Sequence, residues 1–410
     1  MSTLLKLAWR NIWRNKRRTL ITIASILFAV FFAVFMQSIQ KGAWGKIMDN
    51  VVNFYFGYAQ IHTKGYWGEQ SINKSFQLTD EIQKLAAESP DIEALVPRLE
   101  SYALAANESN TTGVLVVGTD PESEANMTKL SERVVEGSYF QKGEQAVMVA
   151  TGVAENLEIG IGDTLVLVSQ GYHGVNAAGK YPVKGLVKFG SPDLNKQLVY
   201  LPLGVAQNFY GAADLHTSIA LQLSDKEKLP EVLTYLKSNI DTAAYEVMGY
   251  EELMPELVQA RELDTAGGKI ILFILYVIIT FGIFGTILMM TKEREYEFGV
   301  LLSIGMKRWT MGFMVWLEIV ILGLLGAAAG MITVFPFVNY FYNNPVDFGK
   351  MSDDMKAAYE KFGFEPIFPA ALDFSVFWWQ AILVFVITSI LAIYPMLKIR
   401  KLKPVEAMRA

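Results

Sequence analysis

Four apolar runs, residues 20–36, 270–290, roughly 311–338 and 376–397, constrain this chain more than any other feature. A helix needs about 20 apolar residues to cross a hydrocarbon core roughly 30 Å thick. The second, third and fourth runs meet that length, and the first meets it once Thr19 and residues 37–39 complete its ends. The first run is long, is followed by the polar stretch QSIQK and lacks a small-x-small pattern, so it is read as a span rather than a cleaved leader. Charged residues make up 19% of the chain and hydrophobic residues 52%. That balance is too apolar for a soluble protein and too polar for spans alone, so a few membrane helices must carry a large water-exposed part.

Orientation follows from the basic residues beside the spans. Lys6, Arg10, Arg14, Lys16, Arg17 and Arg18 precede the first. Lys292, Arg294, Lys307 and Arg308 lie between the second and third, and Lys398, Arg400, Lys401, Lys403 and Arg409 follow the fourth. These fifteen basic residues face only Glu293, Glu295, Glu297 and Glu406. The basic side is therefore the cytoplasm, with both termini inside. The expected order is an amphipathic cytoplasmic helix (1–18), a first span (19–39), a large external domain (40–268) and a second span (269–291). A cytoplasmic segment (292–308), a third span (309–342), an external loop (343–374), a fourth span (375–397) and a cytoplasmic tail (398–410) complete it.

In residues 4–18, Lys6, Arg10 and Arg14 share one face, and Leu5, Trp9, Ile12 and Trp13 another, as suits a helix lying on anionic lipid. Helical spacing continues past the first span through residues 40–53 and precedes the second through 251–264, which suggests two stalk helices, with Gly267 and Gly268 as a flexible point. The external domain alternates strands and helices. Its middle, residues 113–200, reads as mostly β, and its flanks as a mixed α/β unit. The stretch 170–180, QGYHGVNAAGK, reads as a flexible hairpin tip or a loop that binds a partner. A pattern of small residues, Gly326 and Gly330, marks a packing face on the third span, and Glu318 sits near that span's inner end. Residues 353–362 are a polar helix candidate in the external loop.

Several chemistries are missing. There is no cysteine, and His62, His173 and His216 are far apart, so no metal or thiol centre is expected. No GxxxxGK[ST], GxSxG, HExxH or CxxC pattern occurs. The basic face abuts a membrane, so it points to lipid rather than nucleic acid. The chain is not expected to be an enzyme by itself.

Residues 292–308, KEREYEFGVLLSIGMKR, are too charged and too patterned for a mere tether. Here Glu293-Arg294, Glu297, Gly299 and Ser303-Ile304-Gly305 match the pattern ER-x-x-E-x-G…[SA]-x-G, and the tail Pro395…Arg400…Pro404-Val405-Glu406-Ala407-Met408-Arg409 matches P…R…P-x-E-A-[LM]-R. In both respects the chain resembles MacB/FtsX-type (type VII) ABC transporter permeases, especially the LolC/LolE lipoprotein-release branch. The resemblance implies an α+β membrane protein of four transmembrane helices, with a porter-like unit and a β-rich subdomain between helices 1 and 2. It implies an inner-membrane permease that works by mechanotransmission. An ABC ATPase dimer on separate chains would bind ATP and Mg, and a second permease, copy or paralogue, would complete the complex.

On this resemblance Arg294, Glu297, Gly299, Ser303 and Gly305 belong to a coupling helix that docks on the ATPase. Phe35, Met36, Ile39, Ile270 and Ile274 fall where an amphiphilic substrate enters from the outer leaflet. Gln170, Tyr172, His173 and Asn176 fall where LolC hooks a periplasmic lipoprotein carrier, although that loop is proline-rich in LolC and glycine- and alanine-containing here. Lipoprotein or amphiphile release is the expected function. MacB-like efflux and FtsX-like control of an external cell-wall hydrolase are the alternatives.

Overall fold

The structure is a computed structural model that describes residues 2–350, 352, 354 and 367–403. The tail motif from Pro404 onward and the helix candidate at 353–362, apart from Asp354, lie outside the described residues. The chain divides into a helical unit (Met1–Gly45, Ala260–Val346, Ile367–Ala410) and a second unit (Lys46–Gln259, Asp347–Pro366).

Among the described residues four long helices, Lys16–Phe56, Pro255–Glu293, Arg308–Asn343 and Phe374–Lys401, are apolar and long enough to cross a membrane. The first contains a regular stretch, Lys16–Val51, of 36 residues, and the second has 39. At 1.5 Å per residue they run about 54 and 58 Å, well beyond the roughly 30 Å of a bilayer core. Sequence reading places a flexible point at Gly267 and Gly268, but both lie inside the unbroken second helix. Gly268 serves close packing instead. A Cβ there would come within 2.6 Å of Gln40 Oε1 on the first helix. Gln40 Nε2 donates to the Asp264 carboxylate at 2.8 Å, and Trp44 Nε1 donates to the same oxygen at 2.7 Å. The third helix meets the first through the expected small residues, where a Cβ on Gly326 would lie 2.6 Å from Ile26 Cβ. Backbones that approach this closely gain dispersion contacts that apolar side chains alone do not supply in lipid.

The second unit is built on one sheet of ten strands, β1 Ala59–Thr63, β2 Ile92–Ala106, β3 Thr111–Thr119, β4 Val134–Gly137, β5 Val147–Ala150, β6 Thr164–Gln170, β7 Asn176–Val187, β8 Leu198–Pro202, β9 Ser218–Leu223 and β10 Tyr245–Gly249. Six of them close a ring in the order β2, β3, β8, β5, β7, β6 and back to β2. Leu165 and Leu167 of β6 point into its core with β5, which is buried throughout. The other layer, β10–β1–β9–β2, is antiparallel and is covered by helices Asp80–Glu88 and Leu229–Asn239 through Ile82, Val232 and Leu236. Strand β2 belongs to both: residues 92–98 pair with β9, and 98–106 with β3. The β-rich part therefore does not begin at residue 113, because the ring needs the far half of β2. Period-2 patterning reports which face of a strand is buried but not which neighbours it serves.

At the residue where β2 passes from one layer to the other sits Arg98, fully buried. It donates to Glu124 through Nε and Nη2 at 2.9 and 2.6 Å, and through Nη1 to the Tyr55 carbonyl at 2.6 Å. Thr119 and Thr128 donate to the same Glu124 carboxylate. Burial works against the Arg98 charge, but Glu124 and Glu100 outweigh it and raise its pKa. Removing one partner of such a pair strands a buried charge, at about 3–5 kcal/mol. Arg98→Met in the full chain is expected to lose that much stability by denaturant unfolding, and Arg98→Met with Glu124→Leu markedly less. Equal losses in the single and the double variant would show that the pair is not coupled.

Candidate functional site: the connecting helix and its anchors

Between the second and third long helices the chain forms a short connecting helix, Glu295–Ser303. The second helix ends because Arg294 leaves helical geometry, at φ −96° and ψ 8°. Glu295 and Glu297 occupy the first turn of the new helix, where negative charge complements the dipole. The other end is fixed by Gly305, at φ +98°, with its N–H bonded to the Leu302 carbonyl at 3.1 Å and that of Met306 to Leu301 at 3.0 Å. A glycine suits this left-handed stop because a Cβ is penalised there.

Ion pairs tie one side of the connecting helix and its approach to four other helices. Arg294 pairs with Glu318 of the third helix, while Asn11 of the N-terminal helix (Ser2–Arg14) donates to the other Glu318 oxygen at 2.5 Å. Arg294 also lies 5.2 Å over the ring of Phe298, which is buried. Arg14 grips Glu297 with two hydrogen bonds of 2.5 and 2.9 Å, and Arg18 of the first helix grips Glu293 with two of 2.5 Å. Lys292 and Lys398 share Glu295 Oε2 at 3.0 and 3.2 Å, and Arg308 donates to the Arg400 carbonyl. Two-point arginine–carboxylate pairs fix orientation as well as distance. The opposite side is open. Tyr296 is 57% exposed, and Ile304 and Trp309 are each 75% exposed.

Two family descriptions match the chain. "FtsX-like permease C-terminal" covers residues 269–404, and "MacB-like periplasmic core domain" covers residues 19–238, more than half the chain. The chain belongs to the MacB/FtsX-type family of ABC transporter permeases. It is a multi-pass membrane protein, and its relatives are permease components of ABC transporters. It is 21% identical over 322 residues to the lipoprotein-releasing system transmembrane protein LolC of Neisseria meningitidis serogroup B, covering 77% of this chain and 75% of LolC. It is 22% identical over 346 residues to the macrolide export ATP-binding/permease protein MacB of Hyphomonas neptunium, covering 81% of this chain and 52% of MacB. This chain thus spans three quarters of one relative and about half of the other. Among solved structures, the extracellular domain of the transporter YknZ from Gram-positive bacteria aligns at TM-score 0.33 and 16% identity, over 46% of this chain and 98% of that one. The periplasmic region of MacB from Actinobacillus actinomycetemcomitans aligns at TM-score 0.34 and 14% identity, over 52% and 97%.

In this permease the motif residues split into two groups. Arg294, Glu297 and the buried Gly299 turn toward the chain's own helices, whereas Ser303 and Gly305 are exposed. Reading the motif alone misses Asn11 as a partner of Glu318, and misses the open face of Tyr296, Ile304 and Trp309. Aromatic and apolar residues beside the charges were the available signal. The five residues assigned to substrate entry also divide. Phe35 stacks on Phe31 and meets Phe341, and Ile39 packs on the same helical core. Met36 is half-buried, while Ile270 and Ile274 face outward at 61% and 52% exposure.

The stretch read as a flexible tip is mostly strand. Gln170 ends β6 and pairs with Asn176, the first residue of β7. Only residues 171–175 turn, with Tyr172–Gly174 as a single helical turn and His173 at φ +51°. The His173 N–H donates to Asn73 Oδ1 at 2.7 Å, which pins that tip.

Burial pushes the Glu297 carboxyl up, but the Arg14 hydrogen bond and charge outweigh it and leave it below the ordinary carboxylate value. Lys292, opposed by burial and aided by Lys398, does the same for Glu295. Groups lowered in the folded state stabilise it above the unfolded pKa, about 4.3 for Glu, and that contribution is lost as pH falls through the folded pKa. Hydrogen-exchange protection of residues 295–303, corrected for intrinsic rates, is therefore expected to hold from neutral pH to about 5 and to fall below about 4. Protection independent of pH down to about 3 would contradict this. The Arg294–Glu318 pair is the stronger anchor. Arg294→Met or Glu318→Leu alone should each lower stability by about 3–5 kcal/mol in thermal unfolding, and the double variant by less than their sum. Strict additivity would remove the coupling.

Proposed function

We propose that this chain is the permease subunit of an ABC transporter driven by an ATPase on separate chains, and that it releases lipoproteins or another amphiphile from the outer leaflet of the inner membrane. The observation that carries the reading is the two-sidedness of the connecting helix. One side is locked by ion pairs to the N-terminal, first, third and C-terminal helices, while Tyr296 on the connecting helix, Ile304 just after it and Trp309 at the start of the third long helix are exposed. A push on the open side would be delivered to the spans rather than absorbed by a loop. The sequence has no phosphate-binding GxxxxGK[ST] loop of its own, so ATP and Mg would be held by the ATPase dimer. A second permease, copy or paralogue, would complete the complex, and a periplasmic carrier or adaptor would receive the cargo. In this orientation both basic ends lie in the cytoplasm.

LolC-like resemblance over three quarters of that relative's length supports lipoprotein release over the other members of the family. The reading predicts that an ABC ATPase co-purifies with the intact chain. Ile304→Glu with Trp309→Ala, both on exposed positions, should abolish co-purification or lower stimulated ATPase activity by at least about tenfold, without lowering the unfolding temperature. Undiminished ATPase binding and activity in that variant would refute the docking face. Mass spectrometry of material trapped on a complex with a hydrolysis-dead ATPase should recover lipoprotein, and recovering none would refute lipoprotein release.

A further inference from the structure

A groove of about 480 Å³ opens between the first and second long helices, at the end that carries the chain's basic terminus. Its lining is polar at Asn15, Arg17, Arg18 and Thr286, whose hydroxyl is spent on the Gly282 carbonyl, and apolar at Ile21, Gly285 and Met289. Gly285 borders open space, since a Cβ at that position would meet nothing within 4 Å. The two arginines have different commitments. Arg18 is held by Glu293 through two hydrogen bonds and is only 15% exposed, so its charge is neutralised. Arg17 is exposed and makes no ion pair among the described residues. The groove therefore presents a free guanidinium at its mouth and an apolar bed below it, along two helices that cross the membrane.

That combination selects its occupant. An inorganic anion would satisfy Arg17 but leave the apolar bed uncovered. An uncharged amphiphile would cover the bed and leave the cation unanswered. A zwitterionic headgroup brings its own cation toward the guanidinium. An anionic phospholipid answers both, because a phosphate accepts the planar fork of an arginine and an acyl chain lies naturally beside spanning helices. We propose that this groove binds one anionic phospholipid, its phosphate on Arg17 and Asn15 and an acyl chain along Ile21, Gly285 and Met289. The inference rests only on the chain being a multi-pass membrane protein and stands independently of its cargo and its ATPase. Bound there, the lipid would fasten the first helix to the second beside the Arg18–Glu293 pair.

Native mass spectrometry of the full chain, released from nanodiscs of mixed phosphatidylglycerol and phosphatidylcholine, tests the proposal. Phosphatidylglycerol should be retained over phosphatidylcholine, and Arg17→Gln should reduce its retention by about tenfold. Gly285→Leu fills the bed without changing charge and should reduce retention comparably. Arg10→Gln removes an exposed cation outside the groove and should leave it unchanged. Millimolar inorganic phosphate should not displace the lipid. Equal retention of both lipids, equal loss in Arg17→Gln and Arg10→Gln, or displacement by phosphate would overturn the proposal. Full retention in Gly285→Leu would overturn it too. A wild-type protein that carries no phosphatidylglycerol, and whose oligomeric state is changed by Gly285→Leu, would show that a second copy covers the groove, which also overturns it.

Discussion

A carboxylate buried among membrane-crossing helices is costly unless a cation reaches it, and Glu318, 2% exposed on the third helix, depends on Arg294 for that. The requirement has consequences along the chain. Arg294 must lie at the break between the second long helix and the connecting helix, because only there can it turn back toward the third. The connecting helix must then lie against the membrane-side ends of its neighbours rather than hang free. Asn11 completes the carboxylate's coordination, which draws in the N-terminal helix. Arg14, Arg18 and Lys398 extend the same arrangement outward with pairs that are weaker one by one, being more exposed. Their value lies in number and direction: several helices grip one short element from one side.

The second unit solves a related problem with similar chemistry. Strand β2 must serve a closed ring and an open antiparallel layer, and the crossing point would leave polar backbone and side-chain groups facing each other in the core. Arg98, Glu124, Glu100 and the hydroxyls of Tyr55, Thr119, Thr128 and Ser218 satisfy one another there. A buried network of this kind is costly when broken and specifying when complete. It gives the two layers of this unit one fixed arrangement, so motion within the unit is not expected at that seam.

Much of this was legible in the sequence. The four apolar runs needed only length and composition, because crossing a bilayer imposes both. The small residues Gly326 and Gly330 announced a close helix contact, and the structure places them against Ile26 and Val30. The charge of 292–308 stood out as too dense for a tether, and Glu318 as an acidic residue near the inner end of a span. What could not be read was direction. Arg294, Glu297 and Ser303 share one motif, yet the first two face inward and the third faces out, because side-chain direction is set by which helices pack around the element. Gly268 looked like a joint and is a contact, since glycine permits both bending and close approach. The double duty of β2 was hidden for a similar reason. Its alternation describes faces, and its partnership with β9, which pairs Arg98 with Ser218 and Ile92 with Leu223 far along the chain, leaves no local mark.

The central claim is that the connecting helix and the helices that hold it move as one body. The chain contains no cysteine, so spin labels introduced at Arg10→Cys and Ser303→Cys, both exposed positions, would be the only labels on it. Pulsed dipolar spectroscopy on the ATPase-bound complex, without nucleotide and then trapped with ATP, gives the distance between the N-terminal and connecting helices in each state. The account predicts one narrow distribution whose mean stays constant between the two. A shift of a helical turn, roughly 5 Å, or a broad distribution in either state would mean that the anchors release and that the connecting helix moves alone.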